Sequence, residues 1–255
     1  MNNTVLFIVG PTASGKSKIA MTVARQFHGE IISADSMQVY KGMDIGTAKP
    51  SAADRKKIPH HLIDVISPTK IFSAYHYRNL SFKKMKEIIG RKKLPIVVGG
   101  TGLYVRALLE GWVGGKPLAE LGYSPIVIGI DKERSRLYAD IEKRVDQMFR
   151  KGWVKEVKRL SRHKLSKTAS PALGYREIAQ ALAGEVDMGE ARLLIKKRTR
   201  NYAKRQMTWF RKEKGIIWAE AESAIETIKG IVIAGVAKQS AFRSRLPRRP
   251  SGSSQ

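Results

Sequence analysis

The chain has 255 residues, 48 of them Lys or Arg and 22 Asp or Glu, for a formal net charge of +26 at pH 7. A hydrophobic fraction of 42% suffices for one large α/β core, and the charge excess exceeds what a small-molecule site needs, which points to a polyanionic partner or, failing that, to a generically basic surface. The absence of Cys excludes disulfides and thiolate metal sites. No apolar run reaches membrane-spanning length and a strand begins within the first residues, so a cytoplasmic chain with no signal peptide and no membrane partner is expected.

Residues 5–9, Val-Leu-Phe-Ile-Val, form a continuous β-branched and aromatic run suited to a strand buried on both faces. It leads into Gly10-Pro11-Thr12-Ala13-Ser14-Gly15-Lys16-Ser17, a Gly-x-x-x-x-Gly-Lys-Ser loop. The glycines let successive backbone N–H groups converge on an anion, Lys16 adds a point charge, and the Ser17 hydroxyl suits Mg²⁺. A helix is expected from Lys16, its N-terminus turned toward the anion. The loop specifies an oligophosphate without saying which.

Further strands are expected at 31–32, 95–98 and 126–130, with helices at 74–89 and 102–109 between them. This alternation predicts an α/β fold of the P-loop NTPase-like kind: a mostly parallel sheet, flanking helices and a helical C-terminal part. Ligands of such sheets sit at the strand C-termini. The P-loop, Asp35, Gly99 to Thr101 and Asp131 all fall there. Asp35 suits a general base, an Mg²⁺ partner or a loop cap. Thr101 suits a substrate hydrogen bond or a helix cap. Asp131 imitates the Walker B aspartate of an NTPase. His60 and His61 lack companions at a metal-ligand spacing.

Beyond Lys132 the pattern turns helical. Ile141, Val145, Met148 and Phe149 mark one face of a charged helix, a second helix is expected from Ser170-Pro171 through Ile178 and Leu182, and a third from about 190 to 212. In the third, Ile195, Tyr202 and Trp209 share an apolar face, while Lys196, Lys197, Arg200, Lys204 and Arg211 gather on a roughly opposite arc. With almost no interleaved acid, that arc reads as a phosphate-backbone footprint, a solvated face being the alternative. Residues 237–255 are basic, Pro/Ser-rich and aperiodic, so a disordered tail is expected after a core of residues 1–236.

The stretches GPTASGKS, ISADSMQVYKGMDIGTAKP, HHLIDV, LPIVVGGTGLYVRALLEG, LGYREI and AKRQMTWFRK occur together and in this order. The combination, spread over residues 4 to 218, resembles the tRNA dimethylallyltransferase (tRNA isopentenyltransferase) family. The resemblance implies that the P-loop holds the diphosphate of dimethylallyl diphosphate, whose dimethylallyl group moves to N6 of adenosine 37 beside the tRNA anticodon. It implies Asp35 as general base, Thr101 as a contact to the adenine amine, and Arg176 near the reaction centre. It also implies tRNA contacts at Asp35, Ser36, Met37, Gln38 and Thr101 and at Gly174, Tyr175 and Arg176; Lys196, Arg200 and Lys204 add the backbone footprint read above. Mg²⁺ at Ser17 and a monomer complete the expectation.

The sequence departs from that pattern after ALLEG. A helical insertion of several dozen residues, which clasps the anticodon stem-loop in the family, is here nearly deleted around residues 112–118. Three other functions stay open on the sequence: an isopentenyltransferase of free adenine nucleotides, a P-loop nucleotide kinase or NTPase, and an RNA-binding protein without catalysis.

Overall fold

The computed structural model describes residues 3–244, with side chains as far as Ala234. In chain order the elements are β1 (Thr4–Val9), α1 (Lys16–Gln26), β2 (Gly29–Ser33), α2 (Ala52–Lys57), β3 (His60–His61), α3 (Ala74–Gly90), β4 (Leu94–Gly99), α4 (Gly102–Leu109), β5 (Ser124–Asp131), α5 (Arg134–Arg150), α6 (Trp153–Leu160), α7 (Tyr175–Leu182), α8 (Met188–Lys212), β6 (Ile217–Glu220) and α9 (Ala224–Ser244). The strands form one sheet in the order β3-β2-β4-β1-β5-β6, and all its pairings are parallel.

β1 lies at the centre, with Leu6 opposite Ile96 on one side and Ile126 on the other. Its side chains alternate between two cores, as a strand period of two requires. Val5, Phe7 and Val9 enter the core shared with the helices from α3 to α8, and Leu6 and Ile8 enter the one shared with α1 and α9. A run apolar at every position is therefore what a strand covered on both faces needs. From β1 the chain crosses β4 to reach β2, returns to β4, and then adds β5 on the other side of β1. This reversal opens a crevice at the strand C-termini, where the P-loop, Asp35 and the Gly99–Thr101 turn converge.

Five elements lie outside the sequence expectation: α2, β3, α6, β6 and α9. α7 also begins at Tyr175 rather than near 170, because Gly174 at φ 86° starts it in the left-handed region after a run of turns. The expected tail at 237–255 is corrected in its first part. Ala224, Ile228 and Val232 seat α9 on α1 at a four-residue spacing, and the helix continues through Ser244, since each residue added to a formed helix gains a hydrogen bond at small cost. The rest of that tail, 245–255, lies outside the described residues. Among the described residues no helix is long and apolar enough to cross a membrane.

Candidate active site

The P-loop folds as its spacing requires. Gly15 takes φ 89° and starts α1 without a side-chain cap, leaving the helix N-terminus to the loop. Lys16 Nζ donates to Pro11 O at 2.8 Å, closing the loop on itself. Burial and then the charge of Arg144 bring the Lys16 pKa down to about 8, with Asp35 pulling the other way. Lys16 therefore loses its charge as pH rises through about 8, whereas a bound diphosphate favours the charged form. Pyrophosphate affinity is expected to fall above about pH 8, by at most about tenfold per pH unit for one coupled proton. Titration calorimetry across that range checks this, and Lys16→Arg should remove the alkaline fall.

Asp35 lies two residues past the end of β2. Ala34 N donates to Val98 O at 2.7 Å and Thr101 N to Ala34 O at 3.2 Å, which ties the ends of β2 and β4 together. Gly99 permits the approach, since a Cβ there would stand 2.1 Å from Ala34 O. Asp35 Oδ1 accepts from Met37 N at 2.9 Å and Gln38 N at 3.4 Å, which orients the carboxylate. Thr101 is the N-cap residue of α4, but its side chain makes no capping hydrogen bond. Its hydroxyl accepts from Ser36 N at 3.0 Å and donates to Ser36 Oγ at 3.3 Å, buttressing the residue next to Asp35.

The segment after Asp35 is held from within and from α6. Gln38 is used up as a brace: its Oε1 accepts from Ser33 Oγ at 3.0 Å and its Nε2 donates to Thr47 O at 3.2 Å. Buried Glu156 accepts from the N–H groups of Asp44 and Ile45, each at 2.8 Å, and of Gly46 at 3.1 Å, and from the Tyr175 hydroxyl at 2.7 Å. Glu156→Ala strands these donors in a buried setting, so a loss of about 3 kcal/mol or more is expected in urea unfolding.

Two cavities meet at Asp35. One, of about 540 Å³, runs from the P-loop between α1 and the segment 48–60 and is lined by Lys16, Ser17, Met21, Ile31 and Val98. The other, of about 290 Å³, is lined by Ser36, Met37, Gly46, Thr47, Trp153 and Arg205. Thr12, Asp35, Arg144 and Tyr202 line both. Burial lowers the Arg144 pKa and Asp35 opposes that effect. The pKa of Tyr202 rises to about 12 through burial and the Asp35 charge. Arg144 was not expected at the site, and Tyr202 reads from the sequence as core rather than as a ring that stacks on a base. Arg144 was legible in principle, since it lies on the Ile141–Val145–Met148 side of α5. Tyr202 belonged to an apolar face that reads as core from the sequence.

Several expected site residues lie elsewhere. Arg176 is exposed and lines a groove with Leu160, Ser170 and Arg198, but neither of the cavities that Asp35 lines. Tyr175 is buried and committed to Glu156, and Gly174 packs so closely on Trp153 that a Cβ would stand 2.1 Å from its ring. The fold buries both because their helix docks on α6. Lys196 pairs with Asp146 at 2.8 Å and Arg200 with Glu142 at 2.6 Å, both acids coming from α5. The balancing acids are on a neighbouring helix, invisible to a reading of α8 alone. Lys204 is exposed. Asp131 is paired loosely with Arg211 at 3.6 Å and lines neither cavity.

The IPP transferase family model matches residues 38–121 and 114–213. The chain is 39% identical over 294 aligned residues to tRNA dimethylallyltransferase 2 of Geotalea daltonii, covering 89% of this chain and 90% of that one. It is 37% identical to the tRNA dimethylallyltransferase of Geobacter metallireducens, covering 90% and 96%. Its structure superposes on a tRNA isopentenylpyrophosphate transferase of Bacillus halodurans with a TM-score of 0.86 and 32% identity, over 95% of this chain and 100% of that one. The parallel sheet, the P-loop and these similarities agree: the chain belongs to the IPP transferase family.

Proposed function

We propose that this chain transfers the dimethylallyl group of dimethylallyl diphosphate to N6 of adenosine 37 in the anticodon loop of tRNA, releasing diphosphate. The observation that carries the reading is Asp35 at the meeting of two cavities, one of which ends on the P-loop. A donor with its diphosphate on Lys16 and the P-loop amides directs its prenyl carbon toward Asp35, and an adenine entering the second cavity brings its amine to the same carboxylate.

An exocyclic adenine amine is a weak nucleophile because its lone pair is delocalised into the ring. As N6 bonds to the prenyl carbon, the carbon–oxygen bond to diphosphate breaks and the electron pair leaves with the phosphate oxygen. Asp35 takes the N6 proton. Lys16, Arg144 and the backbone amides stabilise the charge growing on the leaving group. To enter the second cavity the base must leave its stack.

Mg²⁺ fits this site in a limited way. Ser17 lines the donor cavity, and among the described residues no group of three or more His, Cys, Asp or Glu could hold a metal. The ion would rest on Ser17, the diphosphate oxygens and water, an arrangement Mg²⁺ commonly accepts. When bound, it would neutralise part of the leaving-group charge.

The connection between α4 and β5 spans only residues 110–123. Against the G. daltonii relative the alignment runs over 294 residues although this chain contributes 89% of its 255. Both support a nearly deleted insertion around 112–118, so that tRNA is held as a weakly bound partner by the remaining basic surface. That surface is a groove of Arg106, Lys204, Arg205, Lys212 and Trp209, with Glu213 also lining it; Arg106 pairs with Glu110 at 3.1 Å and Glu213 at 3.5 Å and stands 5.3 Å from the Trp209 ring and 5.8 Å from Trp112. Replacing Lys204, Arg205 and Lys212 with Ala should flatten the salt dependence of tRNA affinity by up to about three units, one per phosphate contact. Replacing Lys196 and Arg200, which are held by α5, should change it little. Filter binding at several salt concentrations separates the two outcomes. A cytoplasmic monomer is part of the same proposal.

Incubation with dimethylallyl diphosphate, Mg²⁺ and either bulk tRNA or AMP, followed by nucleoside mass analysis, tests the reading. Prenylated adenosine in the tRNA digest is the expected product. Prenylation of AMP alone would make free nucleotides the acceptor, a reading the short 110–123 connection favours. Asp131, the carboxylate that suggested an NTPase, lies away from both cavities.

A further inference from the structure

Gln206 is nearly buried, 7% exposed, in the middle of α8. Its Oε1 accepts from Thr12 N at 2.9 Å, and its Nε2 donates to Gly100 O at 2.9 Å. One amide therefore bridges two loops that are 88 positions apart in the chain but adjacent in the crevice. Thr12 belongs to the P-loop. Gly100 precedes Thr101, whose hydroxyl holds Ser36 beside Asp35. The space at position 100 is reserved for this contact, since a Cβ there would stand 2.2 Å from Gln206 Nε2. Gln206 also lines the donor cavity, one turn beyond Tyr202, which lines both.

We propose that Gln206 is a positioning residue that fixes the diphosphate loop against the turn supporting the base, keeping leaving group and amine in line. The proposal rests on the transfer reading above. A primary amide of this length supplies an acceptor for Thr12 and a donor for Gly100 at once and does so at every pH. A carboxylate keeps the first contact and sets two oxygens against each other in the second. A protonated carboxylic acid restores both, with its carbonyl accepting and its hydroxyl donating.

The test compares Gln206→Ala and Gln206→Glu with wild type in single-turnover transfer at saturating donor and tRNA, together with pyrophosphate affinity. Gln206→Ala is expected to slow transfer by roughly 10²-fold, the cost of a small misalignment of reacting groups, and to weaken pyrophosphate binding several-fold. Gln206→Glu should be slow at neutral pH, and its rate relative to wild type should rise as the pH is lowered and the carboxyl gains a proton. A merely structural brace gives no such pH-dependent ratio. A Gln206→Ala rate and pyrophosphate affinity equal to wild type, or a Gln206→Glu ratio flat with pH, would overturn the proposal. If wild type binds pyrophosphate but transfers no prenyl group, the transfer reading fails, and the pyrophosphate comparison still decides: a several-fold weakening in Gln206→Ala upholds the clasp, an unchanged value removes it.

Discussion

Replacing Asp35 with Asn is expected to slow prenyl transfer by roughly 10²-fold or more, the scale of losing a positioned general base. The substitution is close to isosteric. The Asn carbonyl can still accept from Met37 N, where Asp35 Oδ1 now does at 2.9 Å, so the turn that aims the side chain should survive. What is lost is the second oxygen as a proton acceptor. Donor binding depends on Lys16 and the P-loop amides and should change little, with pyrophosphate bound slightly better because a nearby negative charge has gone. Rapid-quench kinetics at saturating donor and tRNA read the chemical step directly. A near-normal single-turnover rate would remove Asp35 from the base role and leave it as a loop-orienting residue.

Arg144→Ala should have an effect of similar size, roughly 10²- to 10³-fold on transfer, as expected for removing a preorganised group that stabilises leaving-group charge. Arg144 reaches from α5 to the place where both cavities meet. Its charge is also one of the causes of the low Lys16 pKa. The same substitution should therefore raise that pKa, and the alkaline fall in pyrophosphate affinity should move to higher pH. Arg144→Lys restores a charge without the planar fork and should recover only part of the rate. Wild-type kinetics in Arg144→Ala, with an unshifted pH profile for pyrophosphate, would place the arginine outside the reaction.

The parts of the fold that the sequence reveals are those with strong local rules. β1 and the P-loop are recognisable because a doubly covered strand is apolar at every position and the anion loop needs glycines at fixed intervals. α4 is found at Gly102–Leu109 as expected, bounded by a glycine turn and a charged end. α6 was missed although Trp153, Val157 and Leu160 are properly spaced, because eight residues between glycine and serine turns give few periods to detect. β6 has four residues at the sheet edge and takes its identity from pairing with β5, which is a tertiary fact.

The site divides along similar lines. Lys16, Asp35 and Thr101 sit at strand ends, so topology places them without further information. Arg144, Tyr202 and Gln206 arrive from helices whose packing decides which way they point. Arg176 shows the opposite case: it follows a recognisable motif, yet α7 turns it toward the α6 groove. The charge on α8 was read correctly as charge and incompletely as surface, because Asp146 and Glu142 on α5 neutralise part of it.

The central claim is that one prenyl group passes from donor to a specific tRNA adenosine at Asp35. It is tested most directly by offering dimethylallyl diphosphate with two transcripts of one tRNA, carrying adenosine or guanosine at position 37, and mapping the product by fragment mass. The account predicts one dimethylallyl group on the adenosine transcript at that position, diphosphate released in equal amount, and no modification of the guanosine transcript. Equal modification of both transcripts, or prenylation of AMP with neither transcript modified, would contradict it.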